Sequence, residues 1–105
     1  MGRKIIWTQF SKEQLQQVYN YHFEAASEQV AFRLISKIVS HVDILINHPF
    51  IGKREESLAE YPQDFRYIVE GNYKIVYYAD EKSVIIVSVF DSRQDPTKLR
   101  KGVLR

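Results

Sequence analysis

Residues 65–91, FRYIVEGNYKIVYYADEKSVIIVSVFD, decide the fold of this chain because three β-rich runs follow one another across two short turns. The runs are residues 65–70, 73–79 and 84–90. Gly71-Asn72 separates the first two runs, and a four-residue polar turn separates the last two. Strands joined by turns this short pair antiparallel. The segment therefore predicts a three-stranded antiparallel meander.

The register of the first hairpin decides which side chains share a face of the sheet. Pairing Glu70 with Tyr73 across a two-residue loop would place Val69 beside Lys74, which mixes apolar and charged side chains. Pairing Val69 with Tyr73, through a longer loop or a bulge, keeps the apolar side chains together. Because the burial of one face fixes the register strongly, we expect the second arrangement. It predicts that Arg66 and Lys74 lie on the same, exposed face.

The N-terminal segment predicts a strand followed by a helix. Residues 4–8 (KIIWT) are short, apolar and rich in β-formers. Ser11 with Gln14 three positions later has the pattern of a helix N-cap and capping box. Apolar residues then recur at helical spacing as far as Ala26, which predicts an amphipathic helix.

A second helix is expected directly after the first. Ser27 followed by Glu28 is typical of an N-cap with an acid in the first turn. An aliphatic stripe runs from there to Leu45, and Pro49 disfavours helical geometry in the residue before it. Residues 53–62 have mixed charge and a weak pattern, so they are expected to form a loop.

These elements predict one α+β domain spanning residues 1–105. It has an N-terminal strand, a two-helix hairpin and the three-stranded meander. Each helix has an apolar stripe to bury, so both helices are expected to pack on one face of the sheet and to leave the other face exposed.

Composition excludes several classes of protein. The chain has 105 residues, 45% hydrophobic and 27% charged, and no cysteine, so disulfide scaffolds, thiol nucleophiles and cysteine-based zinc sites are excluded. It shows no signal-peptide pattern and no apolar run of about 20 residues, which favours a cytoplasmic protein without membrane contact. The three histidines are scattered and no glycine-rich phosphate loop is present, so neither a metal nor a cofactor is expected. His22 and His41 are interpreted as ordinary helix residues.

Three basic residues on or next to the strands are the candidate catalytic residues: Arg66, Lys74 and Arg93. Three cations around a sheet could bind an RNA backbone and stabilise charge that develops on a scissile phosphate. The alternative is that these side chains pair with surface acids, Arg93 for example with Asp91 or Asp95. Tyr78 is the tyrosine expected on the open face, where it could stack on a base or contact a partner.

The C-terminal residues 97–105 carry four basic residues and no acid. Together with Arg93, the tail residues Lys98, Arg100 and Lys101 are candidates for binding phosphate or an acidic partner. A solvated, frayed terminus is the alternative interpretation.

The order of these elements resembles the RelE/ParE superfamily of toxins from type II toxin–antitoxin systems, also known as plasmid stabilisation proteins. The resemblance covers nearly the whole chain and rests on Trp7-Thr8 and on residues 31–34 (AFRL), 48–54 (HPFIGKR), 65–78 and 89–96 (VFDSRQDP). The helix hairpin and the His-Pro-x-x-Gly segment look closer to ParE-like members. Asp91 stands where many relatives have histidine, and residues 97–105 contain neither the histidine nor the tyrosine that RelE-like nucleases often place there.

The resemblance implies a growth-inhibiting toxin held inactive by a cognate antitoxin, in a possible hetero-oligomer. A ParE-like toxin would target DNA gyrase. The alternative is a RelE-like, metal-independent mRNA endonuclease acting on the ribosome, with Arg66, Lys74 and Arg93 around the phosphate. A third possibility is an inactive relative. The antitoxin is expected to lay a helix or strand across the toxin and to direct its acids at the basic residues.

Overall fold

The computed structural model describes residues 2–93, which form a five-stranded mixed sheet and two helices. The strands lie in the order β1-β5-β4-β3-β2. The elements, in chain order, are β1 (Lys4–Trp7), α1 (Gln9–Ala25), α2 (Glu28–Val42), β2 (Lys53–Arg54), β3 (Arg66–Glu70), β4 (Tyr73–Ala79) and β5 (Ser83–Asp91). The predicted α+β architecture is confirmed, with the helices on one face of the sheet.

Two strands extend the predicted meander at its edges. β1 pairs parallel with β5, with Ile5 opposite Val84. The helix pair carries the chain from β1 at one edge of the sheet to β2 at the other edge, and β3 and β4 then lead back to β5 beside β1. The short β2 pairs antiparallel with β3, so the beginning of the segment predicted to be a loop is part of the sheet.

The helix boundaries follow from their caps. Thr8 is the N-cap of α1: its hydroxyl accepts a hydrogen bond from the Ser11 backbone N–H, and the Ser11 hydroxyl donates to the Thr8 carbonyl. The prediction that Ser11 caps α1 was wrong, because Thr8 offers the same chemistry at the end of β1. Ser27 caps α2 as predicted and accepts from the Val30 N–H. The aliphatic stripe continues past α2 in a 3₁₀ turn, which buries Leu45.

The predicted register of the first hairpin was wrong. Glu70 lies opposite Tyr73 and Val69 opposite Lys74 across the two-residue loop. Gly71 adopts a φ of 58°, a conformation that suits glycine at the first position of a two-residue hairpin loop. Because side chains alternate along a strand, this register places Arg66 and Lys74 on opposite faces.

The register is stable because both faces of the sheet are buried. On the helix face, one core joins the helices to the strands. On the other face, the segment between β2 and β3 packs Leu58 and Phe65 against Val76, Val87 and Phe90. The expectation of one exposed face was therefore wrong, since apolar side chains on either face of the hairpin have a core to enter. The first core contains Ile38, Val42, Leu45, Ile68, Tyr73, Ile75, Tyr77, Val84, Ile86 and Val89.

Among residues 2–93, no helix combines the length and the apolar character that a membrane crossing requires.

Candidate functional site

Lys74 forms an ion pair on the face of the sheet opposite the helices. Its ammonium lies 2.5 Å from a carboxylate oxygen of Glu55, a side chain that is only 7% exposed. The ammonium also lies 4.1 Å from the centre of the Tyr67 ring. The second Glu55 oxygen accepts hydrogen bonds from the backbone N–H and the hydroxyl of Ser57. Lys74 therefore anchors the segment that covers this face.

The Glu55 carboxylate is held in its charged form by these donors. Burial alone raises the pKa of Glu55, but the hydrogen bonds from Lys74 and Ser57 outweigh it, so the pKa lies below its ordinary value of 4.5. A buried carboxylate in this state depends on its partner, because an unpaired buried charge is strongly destabilising.

Arg66 lies on the helix face and binds the loop before β2. Its guanidinium donates to the carbonyls of Phe50 and Gly52 at 3.2 and 3.0 Å, and to a carboxylate oxygen of Asp64 at 3.0 Å. It also stacks 5.6 Å from the centre of the half-exposed Phe50 ring. Gly52 is enclosed beside it, since a Cβ there would meet the Tyr77 hydroxyl at 2.6 Å. Arg66 thus holds the loop before β2 close to the sheet.

Arg93 forms a two-point ion pair with Asp91 at the end of β5. Its Nε and Nη2 atoms donate to the two carboxylate oxygens at 2.9 and 2.6 Å, and its backbone N–H donates to one of them at 2.9 Å. These bonds lower the pKa of Asp91 to about 2. The alternative interpretation, in which Arg93 pairs with Asp91, is borne out.

The structure does not bring the three candidate catalytic cations together. Arg66 and Lys74 lie on opposite faces, and the three cations pair with three different acids. Tyr78 lies on the Lys74 face but is half-buried, with its ring edge-on to Phe65 at 5.4 Å between centres, because the covering segment occupies that face. The tail residues Lys98, Arg100 and Lys101 lie outside the described residues.

A cleft of about 350 Å³ where α1 crosses the ends of β4 and β5 was missed by the sequence analysis. His22 and the Tyr73 hydroxyl share a hydrogen bond of 2.9 Å there, and Asp91 and Arg93 line the same cleft. Burial and the Asp91 carboxylate raise the pKa of Tyr73, against the opposing effect of Arg93. His22 and Tyr73 are 51 positions apart, so no local motif joins them. The sequence shows only that His22 lies on the apolar stripe of the first helix and that Tyr73 directly follows the Gly71-Asn72 turn.

The described part of the chain offers no group of three or more histidine, aspartate or glutamate side chains that could hold a metal ion. The arrangement is a small α+β domain with a helix pair on a sheet that is packed on both faces, and Arg66, Lys74 and Arg93 are each paired with an acid.

A solved structure with this fold is titled "Chromosomal ParDE TA system from P. aeruginosa". It aligns with a TM-score of 0.69 over 85% of this chain and 95% of its own, at 16% identity, so the likeness concerns the fold. The family model described as the ParE toxin of type II toxin–antitoxin system, parDE, matches residues 5–96. The chain therefore belongs to the ParE toxin family. No curated protein matches it.

Proposed function

We propose that this protein is the growth-inhibiting toxin of a type II toxin–antitoxin pair and that its target is DNA gyrase. The observation that carries the proposal is the match of the ParE toxin family to residues 5–96. The geometry supports it because Arg66, Lys74 and Arg93 are engaged in ion pairs within the fold, whereas a nuclease needs cations gathered around one phosphate. A toxin of this kind acts through its surface on a large enzyme.

Supercoiling by purified gyrase tests the target. Titration of the toxin into gyrase with relaxed plasmid should inhibit supercoiling, and addition of the antitoxin should restore it. Topoisomerase I relaxing the same plasmid is the specificity control and should be unaffected. Full supercoiling at a large molar excess of a folded toxin would exclude gyrase as the target.

A ribosome-dependent mRNA endonuclease is the second candidate, because of the cleft that holds His22, Tyr73 and Arg93. Cleavage of RNA by its own 2′-hydroxyl needs a proton acceptor, a proton donor and a cation for the phosphate. A histidine and a tyrosine at 2.9 Å supply the first two functions in one cleft. Arg93 lines the same cleft but would have to leave Asp91 to bind a phosphate. Primer extension on mRNA from induced cells separates the candidates. An endonuclease gives discrete cuts that are lost in His22→Gln and Tyr73→Phe, whereas a gyrase toxin gives none.

The partner that follows from this proposal is a cognate antitoxin. The helix pair exposes large apolar side chains to solvent, among them Tyr21 and Phe32, each 66% exposed, and Phe23, 44% exposed. Large apolar side chains left exposed on a small domain are candidates for contact with a partner protein. Co-expression of the antitoxin should remove the growth defect, and the two proteins should co-purify.

A further inference from the structure

The floor of the cleft between α1 and the ends of β4 and β5 holds a buried amide that the fold uses only in part. Gln14 is 8% exposed and lines the cleft. Its side-chain oxygen accepts hydrogen bonds from the Ser88 hydroxyl at 3.1 Å and from the Val89 backbone N–H at 2.8 Å. A backbone N–H can only donate, so the atom that it contacts must be the oxygen. The NH₂ group of Gln14 has no acceptor within residues 2–93 and is therefore free to donate to a molecule in the cleft.

The Tyr73 hydroxyl is a second group of the cleft with unused hydrogen-bonding capacity. It shares its 2.9 Å hydrogen bond with His22. A hydroxyl is one donor and two acceptors, so this bond leaves it at least one more to make, whichever of the two groups donates. Gln14 and Tyr73 thus offer a ligand two anchoring points about which it can be oriented.

The wall and rim of the cleft suit a flat, polar ring. Tyr21 and His22 stand edge to face, with 5.1 Å between ring centres and 89° between ring planes. Tyr21 is 66% exposed, so most of its ring is open to a ligand. Gln17 and Asn72 add two exposed amides at the rim. Aromatic rings combined with amide groups are the means by which proteins hold an unstacked nucleobase.

The charge of the cleft suits a single phosphate. Arg93 is the only arginine or lysine among the described residues that line it. Its Nε and Nη2 atoms donate to Asp91, but its Nη1 atom makes no hydrogen bond within residues 2–93 and can donate to a phosphate oxygen. A longer phosphate chain would find no second cation there and would meet the Asp91 carboxylate. The volume of about 350 Å³ is at the lower end of the range for ligand sites, which fits one nucleotide.

We propose that this cleft binds a purine nucleoside monophosphate, with its base against Tyr21, a ring nitrogen accepting from Gln14, and its phosphate at Arg93. A purine is favoured over a pyrimidine because it offers ring-nitrogen acceptors on two edges and a larger flat surface. The nucleotide is either free or an unpaired member of a single strand. Binding breaks no covalent bond and is independent of the target proposed above.

NMR titration of the ¹⁵N-labelled protein with 5′-AMP tests the site. The signals of the Gln14 side-chain amide and of the backbone at Asn72 and Val89 should shift together. Adenosine should bind more weakly because it lacks the phosphate, and ATP should bind no more tightly than 5′-AMP. Inorganic phosphate is the control for the charge alone and should leave the Gln14 signal in place.

Two variants with matched controls test the contacts. Gln14→Glu keeps the buried oxygen and removes the NH₂ donor, and Gln16→Glu makes the same change at an exposed glutamine outside the cleft. Tyr21→Ala removes the ring at the wall, and Phe32→Ala removes a ring of equal exposure outside the cleft. Each cleft variant should bind 5′-AMP about fivefold more weakly or worse, and both controls should bind like the unmodified protein. Tyr21 lies on the surface, so its variant tests the site even if Gln14→Glu does not fold.

A short thymidine strand with one central adenine identifies the source of the nucleotide. Binding about tenfold tighter than that of 5′-AMP, and dependent on the adenine, would assign the cleft to a single strand. Equal or weaker binding would assign it to a free nucleotide. The proposal is overturned if the Gln14 signal does not shift at millimolar 5′-AMP, or if phosphate binds as tightly as 5′-AMP, because the base would then add nothing. An affinity unchanged in folded Tyr21→Ala and Gln14→Glu would overturn it as well.

Discussion

Replacement of Lys74 by methionine separates a structural role of this residue from a catalytic one. Methionine keeps most of the length of the side chain and removes the ammonium that faces Glu55. The carboxylate is 7% exposed, so it would be left as a buried charge held only by Ser57. Breaking a buried pair in this way costs about 3–5 kcal/mol. Lys74 itself is 23% exposed, which admits water to the site and favours the lower end, about 3 kcal/mol.

The loss should depend on pH, with a sign fixed by Glu55. In the unmodified protein the folded pKa of Glu55 lies below 4.5, so the pair stabilises the fold above that pH and this contribution is lost as the pH falls through the folded pKa. Without Lys74, burial raises the pKa of Glu55 against only the two hydrogen bonds from Ser57. The variant should then lose stability as the pH rises above about 4.5 and recover part of it in acid.

Thermal and urea unfolding at pH 7 and pH 4.5 measure both effects. A loss of about 3 kcal/mol in the free energy of unfolding should lower the melting temperature of Lys74→Met by roughly 12–24 °C at pH 7. The decrease should be smaller at pH 4.5. The double variant Lys74→Met/Glu55→Gln is the matched control, because it removes both charges and should regain most of the stability at pH 7. A stability of Lys74→Met equal to that of the unmodified protein at pH 7 would refute the structural role. Loss of toxicity with stability retained would assign Lys74 to the target.

Three further changes test other contacts. Tyr77→Phe leaves the buried Gly52 N–H without the hydroxyl that accepts it at 3.0 Å, so the free energy of unfolding should fall by about 1–3 kcal/mol in urea titrations, and an unchanged value would show that water replaces the hydroxyl. Thr8→Ala removes the N-cap of α1 and should lower stability by about 1 kcal/mol, with Thr8→Ser as the control that keeps it. Arg93→Ala should raise the pKa of Asp91 from about 2 towards 3.8, measured by NMR titration of the carboxyl carbon, and a pKa that stays near 2 would show that other donors hold the carboxylate.

The candidate site was harder to predict than the fold, because its members come from distant parts of the chain. The strands and helices left clear patterns, so the order of elements and the layer of helices were predicted correctly. The partners of two cations were not predicted: Glu55, the partner of Lys74, lies in the segment with a weak pattern, and Asp64, the partner of Arg66, lies just before β3. Asp91 and Asp64 each lie two residues from the arginine that they pair with, but of these two acids only Asp91 was named as a partner from the sequence.

What the sequence determined by itself is local. Periodicity placed α1, α2 and the meander, Gly71-Asn72 marked the turn, and Ser27 marked the start of α2, because each depends on interactions between near neighbours in the chain. The tertiary structure decided the register of the hairpin, and with it the faces on which Arg66 and Lys74 lie. Both depend on whether the second face of the sheet is covered, and that was settled by Leu58 and Phe65 packing across strands far from them in the sequence. Alternation along a strand shows that two faces differ, but only the complete fold shows how many of them are buried.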